Sequence, residues 1–205
     1  MAMVNGRPLL SYSIEAAKSS RHVNRVVVSS EDAEILSEAG KWGACPLERP
    51  LDLASDSAPP EGVITHALEC EKVAGRLYDF VIYLQPTSPL RDVEDVDSAI
   101  DAILKKQGNS LISVTEYGYE PFKCFVTNGD GNLRGLYDDK APFVNRQQLP
   151  KAYLSNGAIY IVRVKNFQEN PSFFQPPCIP YIMANEKSID IDTQGDLDNV
   201  RRLLT

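Results

Sequence analysis

Histidine and tryptophan are nearly missing from this chain, with two of the first and one of the second in 205 residues. His22 is expected in a turn and His66 in a helix, and no serine–acid arrangement accompanies either, which excludes a histidine-based nucleophilic relay. The four cysteines, Cys45, Cys70, Cys124 and Cys178, stand far apart, without the paired spacing of a zinc or redox motif. They read as free thiols of a reducing compartment. No apolar run reaches membrane-spanning length and no charged-then-apolar leader opens the chain, so a cytoplasmic location and no membrane partner are expected. Cations are short as well: 21 Lys and Arg face 28 Asp and Glu, a net charge of -7. A general nucleic-acid binder needs a basic face, so no nucleic-acid partner is expected. Repeats and low-complexity tracts are also absent.

What is present suits one globular domain over residues 1–205, with 43% hydrophobic residues to build a core. Helices are expected over Pro8–Ser20, Glu31–Trp42, Glu61–Ala74, Val93–Lys106 and Gln194–Leu204. Strands are expected at Arg25–Ser29, Asp79–Leu84, Ser110–Thr115, Gly157–Val164 and Cys178–Met183, with Pro46–Ser57 as a loop. This alternation predicts an α/β fold with a mostly parallel sheet and helices on both faces. Between Glu116 and Ser155 the pattern turns irregular, and Gly129-Asp130-Gly131 marks a hairpin turn there.

Three segments carry chemistry. In Ser188-Ile189-Asp190-Ile191-Asp192-Thr193 an extended backbone would point Asp190 and Asp192 one way and both isoleucines into the core. Two adjacent carboxylates suit Mg²⁺, which takes one or two of them and fills its octahedron with water and phosphate oxygens. A solvated Asp-x-Asp turn capping the last helix is the alternative. The run Tyr78–Leu84 stops at Gln85-Pro86-Thr87-Ser88-Pro89-Leu90-Arg91, where two prolines enforce a stiff loop at a strand's carboxyl end. Open α/β sheets bind ligands at such places. The third is Asn145-Arg146-Gln147-Gln148-Leu149-Pro150 running on to Asn156-Gly157-Ala158-Ile159-Tyr160-Ile161.

NGRPLLSYSIEAA, NRVVVSSED, RPLDLASDSA, LQPTSPLR, NRQQLP, NGAIYI and YIMANEKSIDIDTQGDL follow one another along nearly the whole chain. In that order they resemble the CMP-sialic acid synthetases (acylneuraminate cytidylyltransferases), of Rossmann-like nucleotidyltransferase fold. The resemblance implies transfer of CMP from CTP to the anomeric hydroxyl of a nine-carbon keto-sugar acid, N-acetylneuraminic acid or a relative. It also implies Mg²⁺ held by Asp190 and Asp192, with Asp192 facing the sugar hydroxyl. Arg49, Asp56 and Ser57 match nucleotide-side positions; Asp56 serves equally well as a helix cap. Gln85, Asn156, Tyr160 and the pair Phe173-Phe174 match sugar-side positions, the aromatic pair as an acyl pocket. Adjacent phenylalanines cannot both face inward from a strand, so one is expected in the core. Ser88 and Arg91 read as loop architecture, with Arg91 anchoring the turn on carbonyls or carboxylates. The irregular region at about 116–155 resembles a dimerisation element, in which Lys123 and Arg146 of one subunit reach the sugar acid of the other.

Two departures accompany the likeness. Family members carry an apolar strand and a phosphate-cradling loop ahead of the stretch matched at Asn5, where this chain has Met1-Ala2-Met3-Val4. If the chain is complete as written, the loss would unpair two neighbours in the sheet and remove triphosphate cations, and poor CTP binding and little activity are expected; the favoured alternative is an incomplete sequence or misplaced start in front of an otherwise ordinary enzyme. A silent paralogue that binds sugar acid or partners a second copy is the alternative function. Leu154-Ser155 also stands where arginine and proline are common, which fits either a different sugar such as legionaminic acid or a further loss of activity; the same chemistry on legionaminic, pseudaminic or an eight-carbon keto-sugar acid is a further alternative.

Overall fold

The computed structural model describes residues 2–55 and 58–204. In chain order the strands are β1 (Met3–Val4), β2 (Arg7–Pro8), β3 (Val27–Ser30), β4 (Cys45–Glu48), β5 (Phe80–Tyr83), β6 (Ser110–Gly118), β7 (Phe125–Thr127), β8 (Leu133–Gly135), β9 (Ala152–Arg163) and β10 (Cys178–Ile182). The helices are α1 (Leu9–Ser19), α2 (Ala33–Lys41), α3 (Pro60–Val73), α4 (Val93–Lys106), α5 (Glu120–Lys123), α6 (Val164–Glu169) and α7 (Gln194–Leu203).

Four strands form the main sheet in the order β10-β6-β9-β5. β5, β6 and β10 share one direction and β9 runs against its two neighbours, so the sheet is mixed. The parallel pair β3–β4 forms a second sheet that shares no ladder with the first among the described residues. Sequence pattern missed β4 and made it loop, because Pro46 removes an amide donor in the middle of it. As one strand of a two-stranded sheet, β4 tolerates that loss on its unpaired side.

Alternation along β5 sorts its side chains between two layers. Phe80, Ile82 and Leu84 pack with Val96, Ala99, Ile100 and Ile103 of α4. Val81 and Tyr83 pack with Ile64 and Leu68 of α3 and Phe167 of α6. Helices therefore cover both faces. α4 opens with a capping box, Asp92 accepting from Asp95 N and Asp95 from Asp92 N. Helix α1 begins after Pro8 rather than at it, because β1 and β2 pair as a small hairpin through the Asn5-Gly6 turn. Between β6 and β9 the chain forms α5, the β7–β8 hairpin and two short 3-10 turns. That hairpin turns through Asn128–Asn132, where the glycines were expected to place it.

Glu71 of α3 ties the two sheets together. Its carboxylate accepts from Arg76 Nε at 2.5 Å and from the Tyr78 hydroxyl at 2.8 Å, just ahead of β5. It also pairs with Arg25, just ahead of β3, at 2.8 Å. Arg76 above all, then Tyr78 and Arg25, hold this carboxyl down at about 2 against the opposing effect of burial.

Candidate functional site

Ile189 and Ile191 both pack into the cluster of Val4, Leu9 and Val200, so the aspartates between and after them face the other way. No strand forms at 188–192; the segment is held by Ile191 N donating to the Thr87 carbonyl at 2.9 Å. Thr193, not Asp192, caps α7: its hydroxyl accepts from Asp196 N and its own N–H donates to Asp196 Oδ2. The capping alternative thus falls to the threonine, and neither Asp190 nor Asp192 is spent on it. Asp192 is exposed, whereas Asp190 Oδ1 is buried with no hydrogen-bond partner.

Asp190 faces the start of the inner part of β9. Gly157 adopts φ +74°, and a β-carbon there would lie 2.5 Å from Gln85 Oε1, 3.4 Å from Asp190 Oδ2 and 3.4 Å from Ser88 Oγ. Only a residue without a side chain lets these three groups converge. The proline loop, the C-terminal acidic segment and the β9 backbone meet at this point.

Beneath it lies a buried polar frame. Arg91, 2% exposed, donates from Nη1 to the carbonyls of Ala158 (2.8 Å) and Gln85 (3.3 Å) and from Nη2 to Ser13 Oγ (2.5 Å). Burial brings its guanidinium down to about 10, so it stays charged at neutral pH. The expected anchoring of the turn on carbonyls is what the structure shows. Ser88 Oγ, also buried, donates to the Asn156 carbonyl. Asn156 accepts from Ser113 Oγ (2.6 Å) and Ala158 N, and donates to Ser188 Oγ (2.9 Å). With 6% exposure its amide serves the frame, linking β6, β9 and the acidic segment.

An aromatic wall rises on one side. Tyr83 and Tyr160 are cross-strand partners with ring centroids 6.1 Å apart. Phe173 lies 5.5 Å from Tyr83 at an interplanar angle of 25°, and 4.9 Å from Tyr160. Phe174 is 64% exposed. One ring of the pair thus packs inward and the other outward, although no strand forms there. The Tyr160 hydroxyl is 2.9 Å from Ser155 Oγ. Burial pushes the Tyr83 hydroxyl above the usual phenol range, opposed by the polar Gln85 side chain and by the Arg49 charge. Sequence pattern passed over Tyr83 and Gly157. Tyr83 shares a face of β5 with Val81 and stands at the end of the strand that leads into the proline loop, which is the signal that would have found it.

Arg49 follows β4 and is braced by β3: Nη2 donates to the Ser29 carbonyl at 2.5 Å, and Nη1 lies 3.8 Å from Glu31. Asp56 and Ser57 lie outside the described residues. Lys123 donates to the carbonyls of Pro142 (2.9 Å) and Val144 (2.8 Å), which holds the irregular region together. Arg146 is exposed beside the cleft lined by Glu116, Tyr119 and Leu149.

The donor set fits a hard divalent cation. Asp190 offers an orphaned buried oxygen and Asp192 an open carboxylate, while no group of three or more His, Cys, Asp or Glu gathers among the described residues. Two carboxylates leave positions for water and phosphate, as Mg²⁺ prefers. No helix among the described residues is long and apolar enough to cross a membrane.

The profile of the family described as cytidylyltransferase matches residues 1–202. A pseudaminic acid cytidylyltransferase of Campylobacter jejuni is 34% identical over 94% of this chain and 83% of its own length. A CMP-N,N'-diacetyllegionaminic acid synthase of Legionella pneumophila is 32% identical over 98% of this chain and 87% of its own. Among solved structures, a CMP:2-keto-3-deoxy-manno-octonic acid synthetase complexed with CTP superposes with a TM-score of 0.70 at 16% identity, covering 99% of this chain and 90% of that one. That likeness is one of fold.

Proposed function

Because the chain belongs to the cytidylyltransferase family, we propose that it transfers CMP from CTP to the anomeric hydroxyl of a nine-carbon keto-sugar acid and releases pyrophosphate. The observation that carries this reading is the convergence of Gln85, Ser88 and Asp190 on Gly157, which brings a carboxamide and a carboxylate to one point beside an aromatic wall. The relatives act on pseudaminic and diacetyllegionaminic acids by name. N-acetylneuraminic acid and these relatives form the substrate class.

The anomeric oxygen attacks the α-phosphorus in line, the bond from that phosphorus to the bridging oxygen breaks, and pyrophosphate leaves with the electron pair. Asp192, open to solvent, faces the sugar hydroxyl and takes its proton. Asp190 and Asp192 would hold Mg²⁺, which when bound would lower the pKa of the attacking hydroxyl and neutralise the leaving group. Arg49, braced on Ser29, presents its guanidinium to the nucleotide, and Asp56 and Ser57 match the same nucleotide side in sequence. Gln85 can donate to and accept from sugar hydroxyls or an N-acyl group, and Tyr160 and Phe173 give the acyl group an apolar wall. Positioning and charge neutralisation supply most of the rate.

The enzyme works as a homodimer in the cytoplasm, without nucleic-acid or membrane partners. Large apolar side chains exposed between residues 116 and 155, among them Leu133 (71%), Tyr137 (66%) and Phe143 (79%), support a covered surface there. Arg146, exposed on the same element, is then free to reach the partner's sugar acid.

The test is pyrophosphate release from CTP and Mg²⁺ with N-acetylneuraminic, pseudaminic and legionaminic acids in parallel. Release with one or more is expected, and Asp192→Ala should abolish it while the folded spectrum persists. Folded wild-type protein silent with every acid, or an Asp192→Ala variant at the wild-type rate, would overturn the reading.

A further inference from the structure

Ser155 and Tyr160 stand five positions apart on β9, and in a regular strand an odd separation puts two side chains on opposite faces. Their hydroxyl oxygens nevertheless lie 2.9 Å apart. The reason is a bulge. Ser155 pairs with Val114 and Tyr160 with Ile112, so five steps along β9 answer two along β6. Gly157, at φ +74°, lies within the surplus, and Asn156 pins it by accepting from Ser113 Oγ at 2.6 Å. Bulges often re-aim side chains beside a site, and this one carries the glycine on which Gln85 and Asp190 converge.

The hydroxyl pair is left half used. Each hydroxyl carries one donor and two acceptor lone pairs. One donor is spent between Ser155 and Tyr160, and among the described residues neither oxygen has another hydrogen-bond partner. A phenol is the stronger acid of the two, so Tyr160 donates and the O–H of Ser155 stays free. Polarisation along the chain strengthens that remaining donor. Ser155 is exposed, whereas the Tyr160 ring is packed 4.9 Å from Phe173 and 6.1 Å from Tyr83. One free donor therefore stands at the solvent edge of the aromatic wall.

We propose that Ser155 is a specificity-determining residue: its hydroxyl, held by that of Tyr160, donates to the carbonyl oxygen of an N-acyl group whose carbon end lies on the Tyr160 and Phe173 rings. The inference rests on the proposed sugar-acid transfer and gives the apolar acyl wall a polar end. A plain hydroxyl in place of the acylamino group ends two bonds short of that carbonyl oxygen, so it gains nothing from Ser155.

Steady-state kinetics of Ser155→Ala, Tyr160→Phe and the double variant test this. Ser155 is exposed, so alanine there should leave the melting temperature at the wild-type value. KM for the N-acylated acid should rise about fivefold, the worth of one neutral hydrogen bond, with KM for CTP unmoved. Tyr160→Phe keeps the ring and removes the hydroxyl that holds Ser155, and it should raise the same KM. Added to Ser155→Ala it should cost less than it does alone, because the two hydroxyls act as a unit. An unchanged KM in Ser155→Ala, an equal rise in KM for CTP, strict additivity of the two substitutions, or wild-type turnover confined to acids without an N-acyl group would overturn the inference and leave the transfer reading standing. Wild-type silence with every acid would overturn both.

Discussion

Gln85 Oε1 stands 2.5 Å from the point where a β-carbon on Gly157 would lie, so the absence of one side chain makes room for the polar head of another. The two residues are 72 positions apart, on the loop after β5 and within β9, whose strands pair antiparallel. Gly157→Ala should therefore act in two ways. The left-handed φ of +74° costs a non-glycine residue about 1–2 kcal/mol. The new methyl must also displace the Gln85 carboxamide. The variant should melt a few degrees lower and lose sugar-acid affinity more than CTP affinity. Equal losses in both affinities would count against the placement of Gln85 on the sugar side.

Arg91→Met tests the frame beneath. A buried cation can often be replaced by an apolar residue without loss, because the charge was costly to bury. Here the guanidinium serves two main-chain carbonyls and a serine hydroxyl; the Gln85 carbonyl keeps Ser88 N and Ser13 Oγ as donors, but the Ala158 carbonyl and the Ser13 oxygen lose their charged donors. That loss should dominate, and stability to urea should fall by at least about 2 kcal/mol. A midpoint equal to or above the wild type would show that desolvation had been the larger effect.

Glu71 makes a prediction in pH. Its folded value of about 2 lies below the ordinary 4.5, so the folded state holds its proton less tightly than the unfolded chain. The stabilisation is fully present above 4.5 and is lost as pH falls toward 2. Urea midpoints of wild type and Glu71→Gln should differ most at neutral pH and converge across that acid window. Parallel curves would remove Glu71 as the source of the acid sensitivity.

Periodicity made most of this legible. The isoleucines flanking Asp190 announced which way the aspartates face, and the core around Val4, Leu9 and Val200 takes both of them. The stiff loop after β5 and the division of Phe173 from Phe174 were equally readable, since each follows from local backbone geometry. Asn156 was not: it resembled a ligand contact, yet its partners Ser113 and Ser188 lie 43 and 32 residues away and bury it. Lys123 likewise finds carbonyls 19 and 21 residues on. A polar side chain in a promising motif declares its type in sequence, but the partners that claim its hydrogen bonds are set by topology. β4 was hidden for the opposite reason, because its proline is tolerated only on account of where the strand lies in its sheet.

Among the described residues no ladder joins β3–β4 to the main sheet, and Glu71 bridges the approaches to both. Arg49 travels with the first sheet and Gln85 with the second, so side-chain contacts among the described residues help to set the distance between them. The Glu71 knot, joining the approaches to β3 and β5, is one such setting screw. Distant packing changes on α3 can thus shift Arg49 relative to Gln85 while leaving both residues untouched.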